Sequence, residues 1–455
     1  MSTTTPKVSE AAARGYRIPA NSPWARAWIY PACAAALGFG IALVGLWKEP
    51  ERFPYSYLFG FFVALSLAVG NIFFVLVLYV TKASWGITVR RVAELFMRPI
   101  AIFALLVVPL VFLPRLGSVN PDPISRLFPW ASAGQSTEAS EAPLFEARGL
   151  AEREPAALRD LPIANVQSMQ RADAGVEDGV VNHKRFFLNR YFFLGRLITY
   201  LAIWTAIVHF YFGWSTEQDT TKAPGLTAIA QRFTPLAIIT FALSLSFFAF
   251  DWLLSLDATW YSTIFGVYVF AQCALFQMAS LIVVTLALRR SGLLGSAVNV
   301  EHFHDMGKLL FGWIAFWTYI AFAQFFLTWY SNIPDEVAWF HKRWDGNGGD
   351  WMYVSVAIVG LHFFVPFWFL MSRNVKRRLP FLAAGAACLI VMHVVEAYWI
   401  IFPNFGPFSP DLLDLGCLIG IVGAYLAFVF RGMTDYALVP VGDPRLARAL
   451  EFENA

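Results

Sequence analysis

Ionisable side chains lie within the long apolar stretches of this 455-residue chain, where they could take up and pass on protons. Asp251 lies in the fifth stretch, and His393 and Glu396 lie three residues apart in the ninth. That spacing places the imidazole and the carboxyl on one face of a helix. Ionisable groups are expensive to bury in hydrocarbon and mark functional sites there. We therefore expect a proton relay; a buried, hydrogen-bonded structural pair is the alternative.

Two more histidines, His209 and His362, fall in apolar stretches of their own. Each is a candidate proton carrier, and each could equally be a helix-packing contact. A His-x-x-Glu pair also occurs in metal sites, but a single pair without a matching second set gives little support for a metal. No metal site is expected.

A further charged group opens the predicted seventh helix. It consists of His302, His304, Asp305 and Lys308. A carboxylate and an imidazole at a helix start suit its cap and its dipole. The same residues could instead form the inner mouth of a proton path, and the sequence leaves both readings open. Asp411 and Asp414, at the start of the tenth helix, are expected to be caps.

Ten long apolar stretches position these residues and predict an all-α integral membrane protein. About 20 apolar residues span a bilayer core as a helix, which also satisfies the backbone polar groups. Charged residues make up only 14% of the chain, against about 25% in soluble domains. The predicted spans are residues 25–47, 55–80, 97–117, 191–213, 235–256, 263–288, 309–331, 351–372, 379–402 and 411–430.

The spans divide the chain into five segments. They are an N-terminal segment 1–24, transmembrane helices 1–3 in 25–117, a long loop 118–190, transmembrane helices 4–10 in 191–430, and a C-terminal tail 431–455. Residues 1–21 have no apolar core, so a cleaved signal peptide is not expected. The loop 118–190 could be a surface element that docks a neighbouring subunit or a plain linker.

The distribution of Lys and Arg predicts the orientation. Most of these residues lie at the span ends on the side of the two termini, and the short loops opposite hold only Lys48, Arg52, Lys342 and Arg343. Because positive charge favours the cytoplasmic side and long loops cross largely regardless of charge, both termini are predicted to be cytoplasmic.

Cysteine usage argues against a cofactor held by this chain itself. The four cysteines lie singly in four different spans, without a CxxC motif. Covalent haem c and cysteine-ligated iron–sulfur clusters therefore have no local signature. A net charge of +3 and the absence of a P-loop give no indication of nucleic acid or nucleotide. Any electron-transfer cofactor should belong to a partner.

Several segments carry a resemblance to a known family. They are residues 85–94, 188–196, 250–265, 302–311, 316–324 and 329–336. Together they closely resemble the ActF-type membrane subunits of bacterial alternative complex III, a quinol:electron-acceptor oxidoreductase, within the NrfD/polysulfide-reductase-like family. The resemblance covers about residues 25–430.

The resemblance implies an architecture and a set of partners. Helices two to five and six to nine would form two four-helix bundles, flanked by helices one and ten. The subunit would hold no redox centre, although quinone or quinol could bind. An ActC-like sister, an iron–sulfur protein and multihaem cytochromes c would accompany it and carry the haems and clusters. Phospholipids and a terminal oxidase are further expected partners, in the bacterial inner membrane with the long loop in the periplasm.

The resemblance also implies a candidate quinone pocket formed by Asp251, Trp252, Asp257 and Tyr261. The ActC-like sister usually carries a His where Tyr261 stands, so a proton acceptor is missing here and proton handling is the stronger expected role. A structural scaffold and, less favoured, a secondary transporter remain as alternatives. Spans with Gly/Pro-broken centres in corresponding positions of the two halves, typical of transporters, are not evident.

Overall fold

Ten helices long and apolar enough to cross a membrane dominate the computed structural model of the protein. It describes residues 16–112, 123–131, 183–184, 186–295, 297–344 and 349–453, and these contain helices but no β-strand. The predicted all-α multi-pass fold is confirmed. The ten helices are α1 Pro23–Lys48, α2 Phe53–Val80, α3 Ile87–Val111, α4 Arg190–Thr221, α5 Pro224–Leu256, α6 Phe265–Arg290, α7 Val300–Ser331, α8 Trp351–Met371, α9 Leu379–Asn404 and α10 Leu412–Asp435.

Helix packing groups these elements into two bundles and a pair. Helices α2–α5 pack together, and so do α6–α9. Helices α2 and α6 pack against each other, are buried on nearly all sides and join the two bundles. Helix α1 packs chiefly against α10, which also covers α2. Short helices lie between or after the spans: Pro123–Leu127, Pro334–His341, Arg373–Arg377 and Leu446–Leu450.

Glycines allow the closest helix approaches. A Cβ on Gly38 of α1 would lie 2.2 Å from the backbone nitrogen of Gly420 in α10. A Cβ on Gly70 of α2 would lie 2.4 Å from the carbonyl oxygen of Cys273 in α6. Small residues bring backbones together where packing replaces the hydrophobic effect as the driving force.

The third helix begins ten residues before its predicted start at 97. Helix α3 starts at Ile87, so Arg90, Arg91 and Glu94 lie fully buried in its first turns rather than in a loop. Arg90 pairs with Glu94 at 2.9 Å, and Arg91 pairs with the same carboxylate at 2.8 Å. Charges neutralised in this way are compatible with helix burial. The prediction failed because it took these charges as a loop signal.

Three other helices extend beyond their predicted spans by about two turns or more. Helix α4 continues to Thr221, α5 starts at Pro224 and α7 starts at Val300. The predicted loop 118–190 lies largely outside the described residues, and its suggested docking role lies there with it. The predicted segment 1–24 is described from residue 16 onwards.

Ten crossings put the start of α1 and the end of α10 on one side of the membrane. The backbone N–H of Leu438, after α10, donates to the carbonyl of Tyr16, before α1, at 2.9 Å. We name this side the terminal face and the other side the opposite face. Asp411 caps α10 on the opposite face together with Asp414, as predicted.

Candidate functional site

The Glu396 carboxyl is the centre of a fully buried polar cluster between α6, α7, α8 and α9. Its Oε1 atom accepts hydrogen bonds from the Tyr268 hydroxyl of α6 and from Trp317 Nε1 of α7, the latter at 2.8 Å. Among the described residues no Lys or Arg forms an ion pair with it. Two neutral donors therefore replace the cation that a buried carboxylate normally requires.

His362 of α8 supplies the imidazole nearest to this carboxyl. Its Nδ1 atom lies 3.4 Å from Glu396 Oε2, and its ring stacks on the Trp317 indole with centroids 4.2 Å apart. The sequence pattern paired Glu396 with His393 instead. Both residues lie on the buried face of α9 as predicted, but the imidazole that faces the carboxyl comes from another helix.

A π-helical turn at Val359–Phe364 carries His362. Pro366 is the second residue of the α-helical continuation of α8, Val365–Met371. A proline has no N–H for the carbonyl four residues earlier, here that of His362, and its ring crowds that carbonyl. The helix therefore widens by one residue at this point, and π turns of this kind are frequent at functional sites. Helical periodicity in the sequence gives no sign of such a turn.

His393 faces α2 rather than Glu396. Its Nε2 atom lies 2.8 Å from the Ser66 hydroxyl, which itself donates to the Val63 carbonyl at 2.8 Å. A hydroxyl has one proton to give, so Nε2–H must be the donor to Ser66 and Nδ1 is left as an acceptor. The ring stacks on Phe276 with centroids 4.1 Å apart.

Unpartnered polar atoms set this cluster apart from ordinary structural networks. They are Glu396 Oε2, both ring nitrogens of His362 and His393 Nδ1, none of which makes a hydrogen bond of regular geometry among the described residues; the Gln272 amide also interacts with Glu396 and Tyr268. More than nine-tenths of buried polar groups in proteins are satisfied. So many unsatisfied atoms in one region indicate a site with capacity to bind protons or a polar group.

Asp251, the other predicted outer acid, forms a closed ion pair. Both carboxylate oxygens accept from Arg196 of α4 at 2.7 Å, and the Tyr200 hydroxyl donates to Oδ2 at 2.7 Å. Asp251 is fully buried and Arg196 is nearly so. The sequence does indicate a partner for Asp251, because Arg196 is an arginine inside the fourth predicted span. The sequence analysis nevertheless assigned no partner to Asp251.

The three other predicted pocket residues do not converge on Asp251. The Trp252 side chain is fully buried among aromatic rings, including Phe61 and Phe193. Asp257 forms an ion pair with Lys342 at 2.6 Å, and the Tyr261 ring is exposed. The structure thus places these three side chains in different surroundings.

The Asp251 and Glu396 groups lie on opposite sides of α2. Phe61 packs against Trp252, next to Asp251, whereas the following residue, Phe62, packs against His393. The predicted outer relay of Asp251, His393 and Glu396 is therefore divided between the two bundles.

The predicted inner group lies on the terminal face. His302 forms a capping box with Asn299, and its Nε2 lies 3.1 Å from the Ala449 carbonyl. Asp305 forms an ion pair with Lys308. His304 is buried, and its Nδ1 has no hydrogen-bond partner among the described residues. His302 therefore caps the helix, as one of the two predictions held. The structure does not test the other prediction, that this group forms the inner mouth of a proton path.

An apolar layer separates the inner group from Glu396. Asp305 and Trp317 lie on one helix about 18 Å apart along its axis. Leu310 and Ile314 of α7 and Leu389 of α9 are fully buried between these levels. His209, the remaining histidine candidate, is exposed on α4. The structure brings together Glu396 and His362, with His393 nearby but directed towards α2, and places the other predicted carriers elsewhere.

Sequence reasoning missed the two donors that define the site. Tyr268 and Trp317 are unremarkable in the sequence because aromatic residues are abundant in this chain. In the described residues no group of three or more His, Cys, Asp or Glu side chains could hold a metal ion. Comparison with known proteins adds no identification, since no family model and no curated protein matches the chain.

Proposed function

We propose that this protein is the membrane subunit of a quinol-oxidising respiratory complex of the alternative complex III type, in which the Glu396 cluster handles protons. The observation that carries the proposal is the Glu396 carboxyl, buried without a Lys or Arg partner, beside the His362 imidazole, whose Nδ1 lies 3.4 Å from Oε2. A group kept at such cost within the membrane is functional by default.

The cluster offers a short proton route. The Tyr268 and Trp317 donors stabilise a carboxylate at Oε1. When Glu396 is protonated on Oε2, His362 Nδ1 lies 3.4 Å away and can accept the proton. The carboxyl and the imidazole can therefore exchange a proton with little movement, as general acid and base groups do.

In this proposal the electrons travel through other subunits. An iron–sulfur protein and multihaem cytochromes c would carry them, and an ActC-like sister would oxidise quinol. The resemblance of the sequence motifs supports this division of roles. We further propose that the terminal face is cytoplasmic and that the membrane is the bacterial inner membrane, supported by the basic residues near the terminal face.

A structural scaffold is the second candidate, favoured by the Asp251 site. A bidentate pair with Arg196 and a bond from Tyr200 leave that carboxylate with two charged contacts and one neutral contact. A carboxylate whose two oxygens are both hydrogen-bonded in this way stabilises the first bundle. Neither oxygen is left to take up a proton for transport. The scaffold reading predicts that substitutions in both clusters change assembly alone.

Replacement of Glu396 by Gln separates the two candidates. Glu396→Gln keeps the size and both acceptor contacts at Oε1 but cannot exchange a proton. We expect the complex purified through this subunit to assemble normally while proton release per quinol oxidised falls at least several-fold. Glu217→Gln, at an exposed position of α4, is the matched control and should have no effect. Unchanged proton release and turnover in Glu396→Gln would refute the proton-handling role.

A further inference from the structure

A row of exposed basic residues lines the terminal edge of the second bundle. Lys308 lies near the start of α7, Arg373 follows α8 and Arg378 precedes α9, and all three residues are exposed. Helix α7 has 32 residues and is about 48 Å long, which exceeds a hydrocarbon core of about 30 Å. Lys308 follows the start of this helix by about two turns, so it lies close to the boundary between hydrocarbon and headgroups. We name Lys308, Arg373 and Arg378 the basic edge.

The described part of the chain does not neutralise the basic edge. Arg373 and Arg378 form no ion pair with any described Asp or Glu. Two acids in the first turns of α7, Glu301 and Asp305, are each already paired with a basic residue. Lys308, the partner of Asp305, still has half of its side-chain surface exposed. The basic edge therefore has positive charge available for an anion outside the chain.

The arginines at the terminal end of α3 show that this fold can neutralise such charges internally. Arg90 and Arg91 share the Glu94 carboxylate. Each also has an acid of its own, Asp443 at 2.6 Å from Arg90 and Asp219 at 2.7 Å from Arg91. A general bias of Lys and Arg towards one side of a membrane explains why basic residues occur on both bundles. It does not explain why the arginines of the basic edge have no acidic partner.

Exposed apolar side chains lie next to the basic edge, on its membrane side. They are Leu309 of α7, Met371 of α8 and Phe381 of α9, which are 38%, 49% and 45% exposed. Each lies one to three residues further into its helix than the nearest member of the basic edge. The guanidinium of Arg378 lies 6.0 Å from the centre of the Phe381 ring. Charge for a headgroup and apolar surface for an acyl chain are thus adjacent on all three helices.

We propose that the basic edge binds an anionic phospholipid, with the phosphate at the basic side chains and the acyl chains along the outer surfaces of α7, α8 and α9. Guanidinium groups bind phosphate through charge-assisted hydrogen bonds. Clusters of Lys and Arg immediately beside spanning helices attract anionic headgroups. The inference is independent of the proposed function, because it concerns the headgroup that this surface selects and assigns no chemistry to the site.

The position of the basic edge favours a lipid over an acidic segment of a protein partner. Apolar side chains exposed on spanning helices face lipid chains, and here they begin within one helical turn of the charges. A single anionic lipid covers the apolar surface and neutralises the charge at once. An acidic peptide in the aqueous phase would neutralise the charge alone and would leave Leu309, Met371 and Phe381 uncovered.

Native mass spectrometry of the full-length protein in detergent, after removal of bound lipid, tests the inference. The probes are dioleoyl phosphatidylglycerol and dioleoyl phosphatidylcholine, which share their chains and differ in headgroup charge. We expect the first phosphatidylglycerol to bind at least several-fold more tightly than phosphatidylcholine. Arg373→Gln/Arg378→Gln should remove most of this preference. Arg232→Gln/Arg448→Gln is the matched control, with the same loss of charge at exposed positions elsewhere near the terminal face, and should keep the preference.

The comparison of the two lipids on the unmodified protein needs no variant, so it holds even where a double variant does not fold. Equal affinities for the two lipids would overturn the inference and leave the basic edge to an acidic protein partner. An equal loss of preference in both double variants would overturn it as well, because it would show attraction to net charge alone. Displacement of phosphatidylglycerol by an equal concentration of inorganic phosphate would make the edge a site for the free anion.

Discussion

Asp251 and Glu396 are both fully buried acids, yet their surroundings give them different roles. Asp251 has an arginine that neutralises its charge, whereas Glu396 has two neutral donors and a neighbouring imidazole. A closed pair is stable because neither partner can leave without an uncompensated charge. A carboxyl without a cation can change its protonation state at lower cost, because no partner charge is left behind.

Loss of one partner of the Asp251 pair should therefore destabilise the first bundle. We expect Arg196→Gln to cost about 3–5 kcal/mol, because it leaves a buried carboxylate without its cation. The double variant Arg196→Gln/Asp251→Asn should recover part of that loss. Thermal unfolding in detergent checks both. If the double variant is less stable than the single one by the full cost of Asp251→Asn, the two side chains are not coupled.

At the scale of elements, the apolar runs predicted the existence and order of the helices. They could not predict how charged helix ends are neutralised. Arg90 and Arg91 are buried in α3 because Asp443 and Asp219, from distant parts of the chain, lie 2.6 Å and 2.7 Å from them. The partner of Glu396 was missed for a related reason: spacing within α9 pointed to His393, whereas the neighbour is fixed by packing between helices.

The π turn of α8 gives a prediction at the same scale. Pro366→Ala restores an N–H that can bond to the His362 carbonyl, so the turn should relax towards a regular α-helix. His362 would then rotate away from Glu396, and proton release should fall several-fold without loss of thermal stability. Pro235→Ala, which removes the proline inside α5, is the matched control. Normal proton release in Pro366→Ala would show that the position of His362 is unimportant.

At the scale of the whole molecule, the C-terminal segment after α10 closes the terminal face of the first bundle. Asp443 accepts from Arg90 of α3 and from Arg445, and the N–H of Gly442 donates to Asp219 of α4 at 3.0 Å. Asp443 is almost fully buried. The sequence predicted a cytoplasmic tail from 431 but not this docking, because no local pattern reveals a partner so far along the chain.

Docking of this segment should depend on pH through Asp443. Burial by itself raises the pKa of this carboxyl, but the charges of Arg90 and Arg445 outweigh it and lower the pKa to about 2. The unfolded pKa is higher, about 3.9, so the stabilisation, roughly 2.6 kcal/mol, is complete above about pH 5 and is lost progressively as the pH falls towards 1.

Limited proteolysis with pepsin measures this release, because pepsin is active across the whole range. Cleavage of the segment 438–450 should be slow at pH 4 and accelerate as the pH approaches 2. Asp443→Asn cannot hold the charge at any pH, so its segment should already be cleaved rapidly at pH 4, with little further change on acidification. Asp435→Asn, at an exposed ion pair with Arg431, should behave like the unmodified protein. Equal cleavage rates for Asp443→Asn and the unmodified protein at pH 4 would show that this ion pair does not hold the segment in place.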